Sequence, residues 1–100
     1  RNAGNIVPPH TNQTGGMTAS IEFAVGALRV PNIVVCGHTE CGAMKGAMNR
    51  DALTHLPHVR EWLGFSQGAV DIVEALGHGK TEAERMQMLL EQNVILQLQH

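Results

Sequence analysis

The sequence has few cysteines, no long apolar run and no basic stripe, and each scarcity excludes a class of protein. Two cysteines cannot build a disulfide framework, and Cys36 and Cys41 are too far apart for a redox Cys-x-x-Cys pair. No run of about 18 apolar residues is present to cross a membrane, and nothing resembles a signal peptide. No basic stripe follows a phosphate backbone. We therefore expect a protein of a reducing compartment with neither a membrane nor a nucleic-acid partner.

Several catalytic signatures are also missing from the sequence. Neither the Gly-x-Ser-x-Gly of serine hydrolases nor a phosphate-binding Gly-Lys-Ser/Thr loop occurs. His38-Thr39-Glu40 matches the His-x-Glu of zinc deaminases, but that family also needs Pro-Cys-x-x-Cys downstream, and no cysteine follows Cys41. These three enzyme classes are therefore excluded.

What is present is an ordinary globular composition. Hydrophobic residues make up 43% and charged residues 16% of the chain, with a formal net charge of -2. A chain of 100 residues is one small domain or part of one. Because it opens on Arg1 and closes without a terminating turn or cap, we expect residues 1–100 to be a single partial domain with both flanks missing.

The apolar pattern predicts alternating strands and helices. Ile33-Val34-Val35-Cys36 is a continuous, mostly β-branched run typical of a strand covered on both faces. A helix over 18–29, capped by Thr18, precedes it. A helix before a buried strand favours a right-handed crossover and an α/β fold with a central parallel sheet flanked by helices. The remaining predicted elements are a strand end at 5–7, a loop over 8–16, and helices within 41–48, 56–76 and 82–99.

His38 and Cys41 are the candidate metal ligands, because imidazole nitrogen and thiolate sulfur both bind zinc well. At a strand end that runs into a helix, residues three apart can converge on one point. Taken alone, however, a His-x-x-Cys pair is more often incidental packing than metal ligation. Cys36, which ends the apolar run, is expected to pack as a small buried hydrophobe.

Three linked motifs give the sequence a family resemblance. The first is Arg1-Asn2-Ala3-Gly4-Asn5 with Pro8-Pro9, the second is the Ala19–Val25 segment ASIEFAV, and the third is the Ile33–Gly42 segment IVVCGHTECG. In order and spacing they resemble the β-class carbonic anhydrases, most closely the plant and cyanobacterial branch. The resemblance covers almost the whole chain and is strongest over 1–46.

The resemblance implies a Zn²⁺ enzyme that reversibly hydrates carbon dioxide to bicarbonate and a proton. It puts His38 and Cys41 at two of three protein ligands; the third, a cysteine in a Cys-x-Asp-x-Arg motif with a catalytic Asp-Arg dyad, is not in this sequence. Ala3, Phe23 and Gly42 fall where the family lines its carbon dioxide pocket. Phe23 replaces the tyrosine of many members, and its reading as a core aromatic stays open.

Further expectations follow from the same resemblance. It implies a homodimer or higher homo-oligomer, and a cytoplasmic location with the carboxysome or chloroplast stroma as alternatives. Arg1, Asn2 and Asn5 are expected to hold the loop and the dimer interface. With two ligands and no dyad, the 100 residues alone should be inactive. Two other hypotheses remain, a catalytically silent scaffold module with the same fold and a thiol redox module using Cys36 and Cys41. The other histidines are expected at the surface: His10, His55, His58, His78 and His100.

Overall fold

The computed structural model describes residues 2–11 and 13–100. Helices dominate this part of the chain. Their bounds are α1, Gly16–Glu22; α2, Gly42–Met48; α3, Pro57–Leu63; α4, Gln67–Leu76; and α5, Glu82–Gln99. A π-helical segment, Phe23–Ala27, continues α1. Single 3-10 turns lie at Ala3–Asn5, Arg50–Leu53 and Gly64–Ser66.

The predicted helices are confirmed, with differences at their ends. The first begins at Gly16, and its N-cap is Gly15 without a side-chain cap bond, so the Thr18 cap was wrong. The 56–76 region divides into α3, which starts on Pro57, and α4, with the break at Gly64. Proline suits the first helical position because its missing N–H has no partner there anyway. Gly68 lies inside α4 without interrupting it, and Leu96 of α5 packs closely over it.

The central parallel sheet is the expectation that this structure does not bear out. Among the described residues there is no strand, and 33–36 has no regular secondary structure. Ile33 is 59% and Val34 82% exposed, although the pattern predicts cover on both faces. The strand end predicted at 5–7 is a 3-10 turn followed by extended, unpaired Ile6. A strand needs a partner for its ladder hydrogen bonds, and the described chain offers none.

The hydrophobic core lies between the later helices. Antiparallel α4 and α5 pack along their length, and α2 and α3 complete the cluster. Ile6 joins this core from the N-terminal segment, which therefore packs against the helices. The other buried hydrophobic residues are Cys41, Met44, Ala47, Leu63, Ala69, Val70, Val73, Leu89 and Leu90.

A capping box starts α5 at Thr81. The Thr81 hydroxyl accepts from the Glu84 backbone N–H at 3.1 Å, and the Glu84 carboxylate accepts from the Thr81 N–H at 3.2 Å. Hydrogen bonds from the Thr81 backbone and side chain hold the pKa of Glu84 below its usual value. A break at Gly77-His78-Gly79 separates α4 from this cap.

None of the helices in the described residues has the length and apolar character needed to cross a bilayer.

Candidate functional site

His38 lies in an irregular segment just before the turn that leads to α2. Its ring is exposed, and Nδ1 lies 2.7 Å from the Thr39 carbonyl oxygen. A carbonyl only accepts hydrogen bonds, so this contact requires the proton on Nδ1. The free lone pair is then on Nε2, which is the arrangement found when a histidine ligates a metal through Nε2.

Cys41 occupies the N-cap position of α2 and is only 4% exposed. A tight turn at Thr39 and Glu40 separates it from His38, and Glu40 adopts a left-handed φ of 54° to make that turn. Such a backbone is uncommon for a residue other than glycine, asparagine or aspartate. The chain therefore reverses direction between the two candidate ligands.

The described residues do not assemble a complete metal site. No group of three or more His, Cys, Asp or Glu side chains that could hold a metal exists in residues 2–11 and 13–100. The assignment of His38 and Cys41 as ligands therefore stays a prediction with two donors. Both cysteines are free thiols. Cys36 is exposed rather than buried as expected, because no neighbouring strand covers its segment.

The three residues assigned to a carbon dioxide pocket are not gathered into one. Phe23 is 60% exposed in the π-helical segment, and Ala3 and Gly42 are exposed as well. An open groove of about 430 Å³ lies beside His38, but α5 provides its apolar side through Leu90, Val94 and Ile95. None of the three pocket candidates lines that groove. Their role stays a prediction.

The segment 2–6, called here the N-terminal loop, is held by its own polar side chain. Asn2 forms two hydrogen bonds with Ile6, donating from Nδ2 to its carbonyl at 2.8 Å and accepting its N–H at 2.9 Å. Asn2 thus holds the loop as expected, whereas Arg1 lies outside the described residues. Asn5 has a left-handed φ of 44°, and its Nδ2 is buried without a partner among the described residues.

Sequence reasoning missed a buried polar cluster next to this loop. Asn93 and Gln97 lie on the inner side of α5, and Ser66 lies between α3 and α4. Ser66 Oγ donates to Asn93 Oδ1 at 2.8 Å, and Gln97 Nε2 donates to the same oxygen at 3.0 Å. The available signal was their spacing, because Asn93 and Gln97 follow Leu89 at intervals of four on one helix face.

The remaining histidines divide into two groups. Four are exposed, as expected: His10, His55, His58 and His78. His100 is half-buried, and its Nδ1 lies 2.7 Å from the Val7 carbonyl oxygen, so a surface position was wrong for this residue.

Comparisons with known proteins agree on one family. A family model described as carbonic anhydrase matches residues 1–100. A carbonic anhydrase of Pseudomonas aeruginosa is 47% identical over 98 residues, which are 98% of this chain and 44% of that protein. Carbonic anhydrase 1 of Escherichia coli is 45% identical with the same coverage. A Synechococcus elongatus carbonic anhydrase is 39% identical over 100% of this chain and 37% of its own length.

A solved structure gives the same answer for the fold. The beta-carbonic anhydrase CcaA superposes with a TM-score of 0.91 and 36% sequence identity, over 99% of this chain and 45% of that one. The chain thus spans less than half the length of the relatives that it matches. Both the family model and the solved structure cover nearly all of this chain, and the chain belongs to the β-carbonic anhydrase family.

Proposed function

We propose that the complete protein catalyses the reversible hydration of carbon dioxide to bicarbonate and a proton. The supporting observation is the His38 ring, whose Nδ1 contacts the Thr39 carbonyl and leaves Nε2 free, three residues before Cys41 in a chain of this family. Relatives matched over nearly the whole chain are named carbonic anhydrases. The proposal transfers that activity to the protein of which these residues are part.

The two donors suit zinc. His38 Nε2 and Cys41 Sγ would hold the ion, with a third cysteine from outside this sequence and one position left for solvent. When bound, Zn²⁺ supplies a Lewis acid that acidifies water to a pKa of about 7. The Thr39 carbonyl fixes the tautomer and orientation of His38. The N-cap position of Cys41 fixes its backbone at the start of α2.

We propose that Ala3, Phe23 and Gly42 border the substrate in the complete protein. Carbon dioxide is uncharged, so an apolar wall admits it and excludes water around the reacting carbon. Phe23 gives such a wall only if its exposed ring is covered. A second copy of the chain or further residues of the same chain would cover it, and we propose that the protein is a homo-oligomer. We also propose a cytoplasmic location, with the carboxysome or chloroplast stroma as alternatives.

We also propose that 33–36 is a strand of a central parallel sheet in the complete protein. The segment is mostly β-branched and largely exposed here. The residues of the relatives that this chain does not match would then contribute the neighbouring strands. This pairing would fix the backbone position of His38, which is separated from the strand by Gly37.

A catalytically silent scaffold module is the second candidate. It is favoured by the donor count, since the described residues bring together fewer than three potential metal ligands. The two candidates differ in one measurable property, because a scaffold needs no zinc.

The test uses the full-length protein with two matched cysteine variants. We expect wild type to contain about one zinc per chain and to hydrate carbon dioxide in a stopped-flow pH assay. Cys41→Ser should lower zinc retention and the hydration rate by more than about tenfold, because changes even outside the ligand set cost 10 to 100-fold. Cys36→Ser is the control and should retain both, because Cys36 is not a proposed ligand and serine is close to cysteine in size.

Other outcomes separate the alternatives. A zinc-free, inactive wild-type protein would establish the scaffold reading. A redox module using Cys36 and Cys41 would hold no zinc in the wild-type protein and would lose thiol exchange in either cysteine variant.

A further inference from the structure

The buried polar cluster identified above holds the N-terminal loop from α5. Asn93 Nδ2 donates to the Gly4 carbonyl at 2.8 Å, and Gln97 Oε1 accepts the Val7 N–H at 2.7 Å. Both side chains are fully buried. Ser66 and Gln97 occupy the Asn93 oxygen as donors, which directs its NH₂ group at Gly4. A buried amide satisfied on both ends is rigid, because each lost partner carries a desolvation penalty.

A second donor holds the adjacent carbonyl. Trp62 Nε1, from α3, donates to the Ala3 carbonyl at 2.9 Å. The two consecutive carbonyls are turned toward these donors by left-handed backbone at Gly4 and Asn5, with φ of 79° and 44°. Side chains of α3 and α5 thus donate hydrogen bonds to two consecutive carbonyls of the N-terminal loop.

The same loop lies beside residues close in sequence to each of the two candidate ligands. Asn5 Oδ1 is 3.6 Å from the position that a Cβ on Gly37 would take, and Gly37 directly precedes His38. A Cβ on Gly4 would lie 3.0 Å from Cε of Met44, in the first turn of the helix that follows Cys41. The N-terminal loop therefore touches the segment that carries each candidate ligand.

We propose that Asn93 and Trp62 are positioning residues of the metal centre. They fix the N-terminal loop, and the loop sets the spacing between the backbone before His38 and the helix after Cys41. Neither residue touches the metal. The inference rests on the proposed function only in taking zinc as the ion that His38 and Cys41 hold.

The test compares variants of the full-length protein that differ in what they release. Asn93→Ala removes the donor to Gly4, and Trp62→Phe removes the donor to Ala3 while keeping an aromatic ring against Phe65. Val73→Ala is the control, because Val73 is buried in α4 and its truncation destabilises the core without removing a hydrogen bond to the loop.

Three quantities are measured: the melting temperature of the zinc-free protein, the rate of zinc release to a chelator, and the thiolate-to-metal absorption of the cobalt-substituted protein. We expect Asn93→Ala and Trp62→Phe to release zinc about tenfold faster, as outer-shell changes typically do, with an altered cobalt spectrum. Val73→Ala should lower the melting temperature but leave the release rate and spectrum as in the wild type.

Release rates and spectra of both loop variants equal to those of Val73→Ala would overturn the positioning role. If Asn93→Ala does not fold, Trp62→Phe alone tests the positioning role. Trp62 is partly exposed, and phenylalanine keeps an aromatic ring at that position. A wild-type protein that takes up no zinc would instead overturn the proposed function, so the two failures are distinguishable.

Discussion

At the scale of single residues, the backbone conformation at Gly4 disfavours any residue that has a Cβ. Its φ is 79°, in the left-handed region, where a residue with a Cβ pays about 1 to 2 kcal/mol. A Cβ would also press on Met44 Cε at 3.0 Å. We expect Gly4→Ala to lower the free energy of unfolding by about 1 to 3 kcal/mol, measured by urea denaturation.

Gly16→Ala is the matched control for that change. A Cβ at Gly16 meets no atom within 4 Å, and the residue is the first of α1, so alanine brings no left-handed strain there. Equal destabilisation by both substitutions would contradict the assignment of strain to Gly4.

The sequence carries different amounts of information about different candidate residues. Cys41 could be placed at the start of a helix, because small and helix-favouring residues follow it, and α2 does begin at Gly42. The exposure of Cys36 could not be predicted, since burial of a strand residue depends on neighbours outside its own segment. The tautomer of His38 was equally inaccessible, because it is set by the Thr39 carbonyl in the turn.

At the scale of elements, α5 shows both the strength and the limit of a periodic pattern. Its predicted bounds, 82–99, agree with the structure. The apolar residues at helical spacing predict its buried face only in part, because Leu89 and Leu90 are buried but Leu98 is 65% exposed. Asn93 and Gln97 take the inner positions instead, because backbone groups of the N-terminal loop and Phe65 supply them with partners. Polar residues with specific partners are invisible to an apolar pattern.

A pair of leucine substitutions on α5 tests this assignment of faces. Leu89→Ala removes a fully buried side chain and should lower the free energy of unfolding by about 2 to 5 kcal/mol. Leu98→Ala, on the same helix, should change it by no more than about 0.5 kcal/mol. Thermal and urea unfolding of the full-length variants measure both. A larger effect at Leu98 would indicate that another part of the protein covers that face.

At the scale of the whole molecule, the helices could be predicted and the sheet could not be observed. Helical hydrogen bonds join residues four apart, so the pattern that predicts α2 to α5 lies within each segment. A parallel sheet requires strands distant in sequence, and the 33–36 segment has no such neighbour among the described residues. The chain covers 45% of the solved β-carbonic anhydrase chain that it matches, and the neighbouring strands are proposed to come from unmatched residues.

Lysine substitutions at Ile33 and Val34 decide whether that segment lies inside a sheet covered on both faces. Neighbouring strand residues point to opposite faces, so each variant reports on one face. In the full-length protein we expect each to lower the free energy of unfolding by about 3 to 5 kcal/mol, as an unpaired buried charge does. Leu76→Lys, which is 66% exposed at the end of α4, is the control and should be nearly neutral. A cost at only one of the two strand positions would mean that helices cover a single face, and two neutral variants would leave the segment outside any sheet.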